Sequence, residues 1–241
     1  MSAPYNFDLI ADVYEETRRL PPLVLDGLTE QMVSVFEGGR VLDAGVGTGR
    51  YAHALGDRDL TIVGLDVSRN MLGRARERGL SRLVRGDLTT LPFRDRAFDH
   101  TIAIHILHLV PDWRAMIREV TRVTSGYFAS TLETREPDIH HLYDVKIGKG
   151  DRASPGIEEE DLAAIVPPVV RFPRLVVRES RPAEEYLGLL AQKTFSSQWD
   201  VPDDVHGRAM EALRTELAGK VFDSKRTWEL VAWRSEDLRG I

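Results

Sequence analysis

The segment Val41-Leu42-Asp43-Ala44-Gly45-Val46-Gly47-Thr48-Gly49 joins a short apolar run to a turn with a glycine at every second position, and a helix-periodic stretch opens at Arg50. An apolar run ended by glycines and followed by a helix reads as a buried strand entering a tight strand-to-helix turn. Gly45 and Gly47 remove side chains from the turn, so a ligand can lie against the backbone, and the helix start offers unpaired N–H groups. Reading outward, Leu60 to Leu65 is a second strand closed by Asp66, and Ser68 is an N-cap for a helix through Arg78 with Gly79 as its C-cap glycine. Leu83-Val84 is a short third strand ending at Gly86-Asp87, and Phe98 to Ile104 a fourth. Asp112 to Thr124 is a helix with Met116, Ile117, Val120 and Val123 on one face, and Gly126 to Leu132 is a fifth strand. Strands alternating with helices predict an α/β architecture, a parallel sheet with helices on both faces.

The carboxylates at the strand ends carry the chemistry. A dinucleotide turn has the spacing G-x-G-x-x-G; here it is G-x-G-x-G, and Asp43 stands two residues before the first glycine. A carboxylate beside a pyrophosphate is repelled, whereas beside the ammonium of a methionine moiety it is attracted, directly or through water. That difference in sign favours S-adenosylmethionine over NAD as the ligand. Asp43 also has a plainer reading, as a cap for the backbone N–H groups of the turn. Asp66, at the second strand end, is placed to accept from both ribose hydroxyls. Asp87, at the third, is placed to accept from an adenine amine while the Leu88 N–H meets a ring nitrogen. Each alone is an ordinary turn residue; three at successive strand ends on one edge of a parallel sheet make a site.

Val41 to Tyr51 resembles the first motif of class I S-adenosylmethionine-dependent methyltransferases, Gly64-Leu65-Asp66-Val67-Ser68-Arg69-Asn70-Met71-Leu72 the second, and Gly86-Asp87-Leu88-Thr89-Thr90-Leu91-Pro92-Phe93 the third. Ala97-Phe98-Asp99 through His108-Leu109-Val110-Pro111-Asp112-Trp113 is similar to the fourth strand and following helix start. The likeness covers about residues 36 to 132 and is greatest to the small-molecule branch that includes ubiquinone and menaquinone biosynthesis methyltransferases. It implies a Rossmann-like fold, a mostly parallel seven-stranded sheet with helices on both faces and a helical cap. It also implies Gly45, Gly47, Asp66, Val67, Met71, Asp87, Leu88 and Ile104 as neighbours of S-adenosyl-L-methionine, with Met71 on the adenine ring or simply in the core. Phe7 to Tyr14 resembles that branch's entry segment, whose tyrosine, here Tyr14, sits near the cofactor carboxylate. His105 falls just past the fourth strand, where the sulfonium end lies, as a general base or a pocket-lining residue.

Beyond residue 132 the pattern loosens. Glu133 to Pro155 is polar, aperiodic and carries His140, His141 and Tyr143, which predicts a lid or substrate loop. Ile157 to Val166, Pro182 to Lys193 and Asp203 to Ala218 read as helices, Leu175 to Val177 and Thr227 to Trp233 as strands. Residues 1 to 38 read as two cap helices parted near Pro21-Pro22. The expected organisation is one domain over 1–241: a cap to residue 38, a cofactor core from 39 to 132, then substrate-side insertions and sheet completion from 133.

Composition narrows the classes. With 42% hydrophobic and 29% charged residues the chain reads as globular. It has no cysteine, which removes disulfides, zinc-thiolate sites and cysteine nucleophiles together. The histidines show no HxxxH or HExxH spacing, so no metal is expected. A net charge of −6 with dispersed basic residues disfavours a nucleic-acid partner, and no apolar run approaches a membrane span. A cytoplasmic protein is expected, acting on a small-molecule acceptor as monomer or homodimer. Two rival classes stay open: an NAD-binding oxidoreductase, and a non-catalytic protein that keeps the cofactor site.

Overall fold

The computed structural model describes residues 20–58, 60–136, 139–149, 155–193, 195 and 198–241. Tyr14 and the first cap segment lie outside the described residues. Helix α1 (Pro22–Phe36) leads into β1 (Arg40–Ala44), α2 (Arg50–Gly56), β2 (Thr61–Asp66), α3 (Arg69–Glu77), β3 (Leu83–Arg85) and β4 (His100–Ile102). A single turn of 3-10 helix at Leu107–Leu109 precedes α4 (Trp113–Val123) and β5 (Tyr127–Glu136). The second half contains α5 (Ile139–Lys146), α6 (Glu159–Ile165), β6 (Val170–Arg171), β7 (Leu175–Pro182), α7 (Ala183–Ala191), α8 (Asp203–Leu217) and β8 (Val221–Arg234).

The sheet order is β3-β2-β1-β4-β5-β8-β6, with β7 also paired to β8. The pairings from β3 through β5 are parallel, and β8 alone runs against its neighbours. β6 and β7 share one edge of β8, so they are a single strand interrupted at Phe172-Pro173-Arg174. Pro173 explains the break: it has no N–H for the ladder. The expected seven-stranded sheet is therefore present, with its outermost strand in two pieces.

Local signals act where the sequence puts them. Ser68 caps α3, its Oγ accepting from Met71 N at 3.1 Å. Gly79 ends the same helix at φ 95°, with Gly79 N donating to Arg76 O and Leu80 N to Ala75 O. Those two bonds form a Schellman motif. Asp112 caps α4, accepting from Ala115 N at 3.0 Å, and Met116, Ile117, Val120 and Val123 are fully buried beneath it.

Three readings are corrected. The fourth strand is His100–Ile102, shorter at both ends than Phe98–Ile104, because the ladder to β1 runs only over these residues and that to β5 over Thr101 and Ile102. The described part of Glu133 to Pro155 is not an open loop: β5 continues to Glu136 in register with β8, and α5 follows. Polar side chains there hid a strand whose partner lies some ninety residues on. Tyr143 is fully buried among α5, α7 and α8 side chains, its hydroxyl 2.7 Å from His206 Nδ1, and His140 lies 4.5 Å from the Phe195 ring. These two residues hold a small second core rather than line a lid. Among the described residues, no helix is long and apolar enough to cross a membrane.

Candidate active site

The carboxyl ends of β1, β2, β3 and β4 meet along one edge of the sheet. At the end of β1 the three turn glycines all have positive φ, for different reasons. A Cβ on Gly45 would lie 2.6 Å from Ile106 Cγ1, and one on Gly49 2.4 Å from Leu80 Cδ1. These two let parts of the chain itself pack closely. A Cβ on Gly47 would meet nothing within 4 Å, so Gly47 is where the bare backbone faces open space. The expectation that both Gly45 and Gly47 clear room for a ligand is thus divided: Ile106 occupies the room beside Gly45.

Asp43 is 4% exposed. Burial foremost, then the nearby Asp66 charge, push its carboxyl up to about 7, against the Ala52 N–H that it accepts. Asp66 is 9% exposed and ties the first two turns together, accepting from Gly47 N at 2.9 Å on Oδ2 and from Ser68 N at 2.8 Å on Oδ1. Both oxygens thus face the turns at the carboxyl ends of β1 and β2. Val67, next along, is 47% exposed, whereas Met71 is 2% exposed. The apolar surface open at the β2 end therefore belongs to Val67.

Asp87 is exposed, and its Oδ1 accepts from Thr89 N and Thr89 Oγ1 in an Asx-type turn. Leu88 packs against the main core. A clamp on α4 holds the loop beyond them. Arg122 donates to Phe93 O at 2.7 Å and to Leu91 O at 3.0 Å, while Glu119 accepts from Leu91 N at 2.7 Å and from Arg122. The Arg122 bond holds the Glu119 carboxyl below the usual range.

Ile104 is buried just beyond β4, and His105 follows it in the left-handed region at φ 56°, a conformation uncommon for a residue with a Cβ. That turn directs His105 Nε2 to Glu133 Oε2 on β5, 3.2 Å away. Glu133 Oε1 in turn accepts from Arg226 Nη2 at 2.7 Å. Burial works against ionising Glu133, but His105 and Arg226 outweigh it and hold the carboxyl down at about 2. Glu159, 6% exposed at the start of α6, is pushed by burial up to about 7, with the His105 charge opposing. Its carboxylate also approaches His108 and Glu158, with one ligand-capable atom from each within 4.8 Å of the others.

Glu133, Arg226 and Glu159 were not read as functional from the sequence. No motif announces them, because the β5–β8 register and the start of α6 bring them to His105. Beyond Glu133 lies a cavity of about 800 Å³, floored by β5, β7 and β8 and walled by α1 and α7.

Comparison with known proteins agrees with this geometry. Residues 42–128 match the family model described as a methyltransferase domain. That segment is similar to a methyltransferase domain. The match agrees with S-adenosyl-L-methionine as the cofactor class. The domain is 35% identical over 119 residues to a demethylmenaquinone methyltransferase of Bacillus licheniformis, covering 46% of this chain and 51% of that protein. It is also 35% identical over 123 residues to the enzyme of that name from Renibacterium salmoninarum, covering 49% of each. The chain thus spans about half the length of the curated relatives it matches. In fold the likeness extends further. A protein of Bacillus halodurans assigned as a methyltransferase superposes with a TM-score of 0.58 at 15% identity, over 87% of this chain and 98% of that one. The [4+2]-cyclase SpnF superposes at 0.56 and 21% identity, over 95% and 93%. The fold alone does not choose the chemistry; the site does.

Proposed function

We propose that this chain transfers a methyl group from S-adenosylmethionine to a small-molecule acceptor, with His105 as the general base. The observation that carries the reading is the strand-end array: buried Asp43 and Asp66 beside the open backbone of Gly47. The site fits the cofactor, since two buried carboxylates, an exposed apolar residue and bare backbone share one edge. Asp43 receives the ammonium, Asp66 the ribose hydroxyls, and Asp87 with the Leu88 N–H the adenine edge. Val67 and Ile104 supply apolar contact, with Met71 buried one turn beyond Val67, and Tyr14 is assigned to the cofactor carboxylate. The bound cofactor supplies a methyl already activated on a sulfonium, so the protein's task is chiefly placement and exclusion of water.

His105 adds proton removal where the nucleophile carries a proton. Its Nε2 faces Glu133, which leaves Nδ1 as the acceptor for that proton, and the imidazolium so formed is stabilised by the Glu133 carboxylate. The demethylmenaquinone methyltransferases are small-molecule enzymes by name, and we extend that acceptor class, without their substrate, to this chain. A single domain with an N-terminal cap, a cytoplasmic location and no nucleic-acid partner complete the proposal.

Calorimetric titration with S-adenosylmethionine and with NAD, paired with a radiolabelled methyl-transfer screen of small acceptors, tests it. Saturable S-adenosylmethionine binding with transfer to at least one acceptor is expected. Binding without transfer to any acceptor would favour a scaffold protein, and NAD binding in its place would sink the reading.

A further inference from the structure

Building on the methyl-transfer reading, we propose that the acceptor is a hydroxylated aromatic carboxylic acid whose carboxylate is received by Arg135 in the 800 Å³ cavity. The β5–β8 register sets Arg135 directly opposite Arg226. Like charges facing one another across an antiparallel pair destabilise it unless an anion is shared between them. Glu133 is the anion present, but its carboxylate is already taken up. Oε2 faces His105 at 3.2 Å and Oε1 faces Arg226 at 2.7 Å, leaving Arg135 Nη2 4.0 Å from Oε1. The closer partner of Arg135 is neutral: the Tyr186 hydroxyl, 3.0 Å from Nη1. Arg135 thus reaches a carboxylate only at the edge of an ion pair.

Arg181, which lines the same cavity, is paired with Glu179 at 3.0 Å, whereas Arg135 has the neutral Tyr186 hydroxyl as its nearest partner. A guanidinium fork matches a planar carboxylate, and a cationic acceptor would be repelled. Beside Arg135 the walls are aromatic. The Tyr186 and Phe195 rings are stacked with centroids 6.0 Å apart, and Phe222 lines the same cavity. Such walls suit a flat ring between the charged anchor and the reacting end.

Glu133 links the two ends, with one oxygen toward His105 and the other toward the arginines. The acid is therefore the anchor, and a ring hydroxyl is the group whose proton His105 takes. In the transfer the hydroxyl oxygen bonds to the methyl carbon, the carbon–sulfur bond breaks with its electron pair going to sulfur, and the hydroxyl proton goes to His105.

The test is calorimetry on the full chain saturated with S-adenosylhomocysteine, titrating dihydroxybenzoate and its amide, which keeps the ring and loses the charge. The wild-type protein should bind the acid about tenfold more tightly than the amide, the ratio expected for one charge-assisted anchor. Arg135→Met should bring the two ligands within about twofold of one another, and Arg135→Lys should restore part of the preference. S-adenosylhomocysteine affinity, equal in all three proteins, certifies that the variants are folded; if Arg135→Met is not, Arg135→Gln takes its place. Equal wild-type affinity for acid and amide, or a preference that survives loss of the guanidinium, overturns the proposal. Failure of the wild-type protein to bind S-adenosylhomocysteine at all would instead overturn the methyl-transfer reading beneath it.

Discussion

In the half of the chain up to residue 132, Asp43, Asp66 and Asp87 each stand within two residues of a glycine at a strand end. In the other half, Glu133, Arg135, Tyr186 and Arg226 come from three separate elements, and Glu133 meets Arg226 across 93 residues of chain. The first group is placed by turns a few residues long. The second is placed by the register of one long antiparallel pair, in which a slip by one residue would turn every side chain to the other face. Local geometry can be carried by a motif, so the cofactor edge resembles a family. Register-dependent geometry cannot, so no motif announces Glu133, Arg135 or Arg226. His105 joins the two, held by backbone strain at the end of β4 and by Glu133 from β5.

The largest effect should come from breaking that junction. His105→Ala is expected to lower kcat by about 10²-fold or more with cofactor affinity unchanged, the usual scale for a lost general base. Glu133→Gln should lower kcat less, because the imidazolium loses its counter-charge. Steady-state kinetics over pH on both variants, with calorimetry for the cofactor, would show it. An unchanged His105→Ala rate would leave the residue only a lining role.

Next in size is a test of whether the two halves are separate in stability. Leu213, Leu187, Leu190, Met210 and Tyr143 form a core of their own, apart from the two clusters that pack on the sheet. Leu213 is fully buried, so Leu213→Ala should cost about 2–4 kcal/mol. Hydrogen exchange should then show α5, α7 and α8 opening while β1, β2 and β4 stay protected. Uniform loss of protection would mean that the halves unfold as one. Asp66→Ala follows, and should weaken S-adenosylmethionine binding by about 1–3 kcal/mol in calorimetry without moving acceptor affinity. A lone effect on the acceptor would reverse the assignment of the two sites.

The same contrast explains what the sequence could and could not tell. Ser68, Gly79 and Asp112 announce helix ends because their side chains or their lack of a Cβ act on backbone a few residues away. Asp43 and Asp66 were legible for the same reason. Glu133 looked like the start of a polar loop, since a strand whose partner lies far along the chain shows no local sign of it. Tyr143 and His140 looked like lid residues because a helix packed on two others needs only a few apolar positions. Gly45 was legible as a turn glycine, but not the arrival of Ile106 beside it.

The smallest effect is a pH dependence, and its sign separates Asp43 from a plain turn cap. Burial and the Asp66 charge raise Asp43 to about 7 in the ligand-free fold, well above the ordinary carboxylate value. The fold therefore binds a proton more tightly than the unfolded chain does. That contribution favours the folded state at low pH, and it is lost as pH rises from about 4 through about 7. An ammonium arriving beside Asp43 favours the ionised form, so cofactor affinity should be full above about 7 and fall by up to tenfold per pH unit below it. The cofactor's own amine loses its proton near pH 8, which closes the window from above. Calorimetry from pH 6 to 9 should thus give a maximum between about 7 and 8, and Asp43→Asn should remove the acid limb alone. If Asp43 only caps the turn, the acid limb is absent from the wild type, and Asp43→Asn changes stability without changing how binding responds to pH.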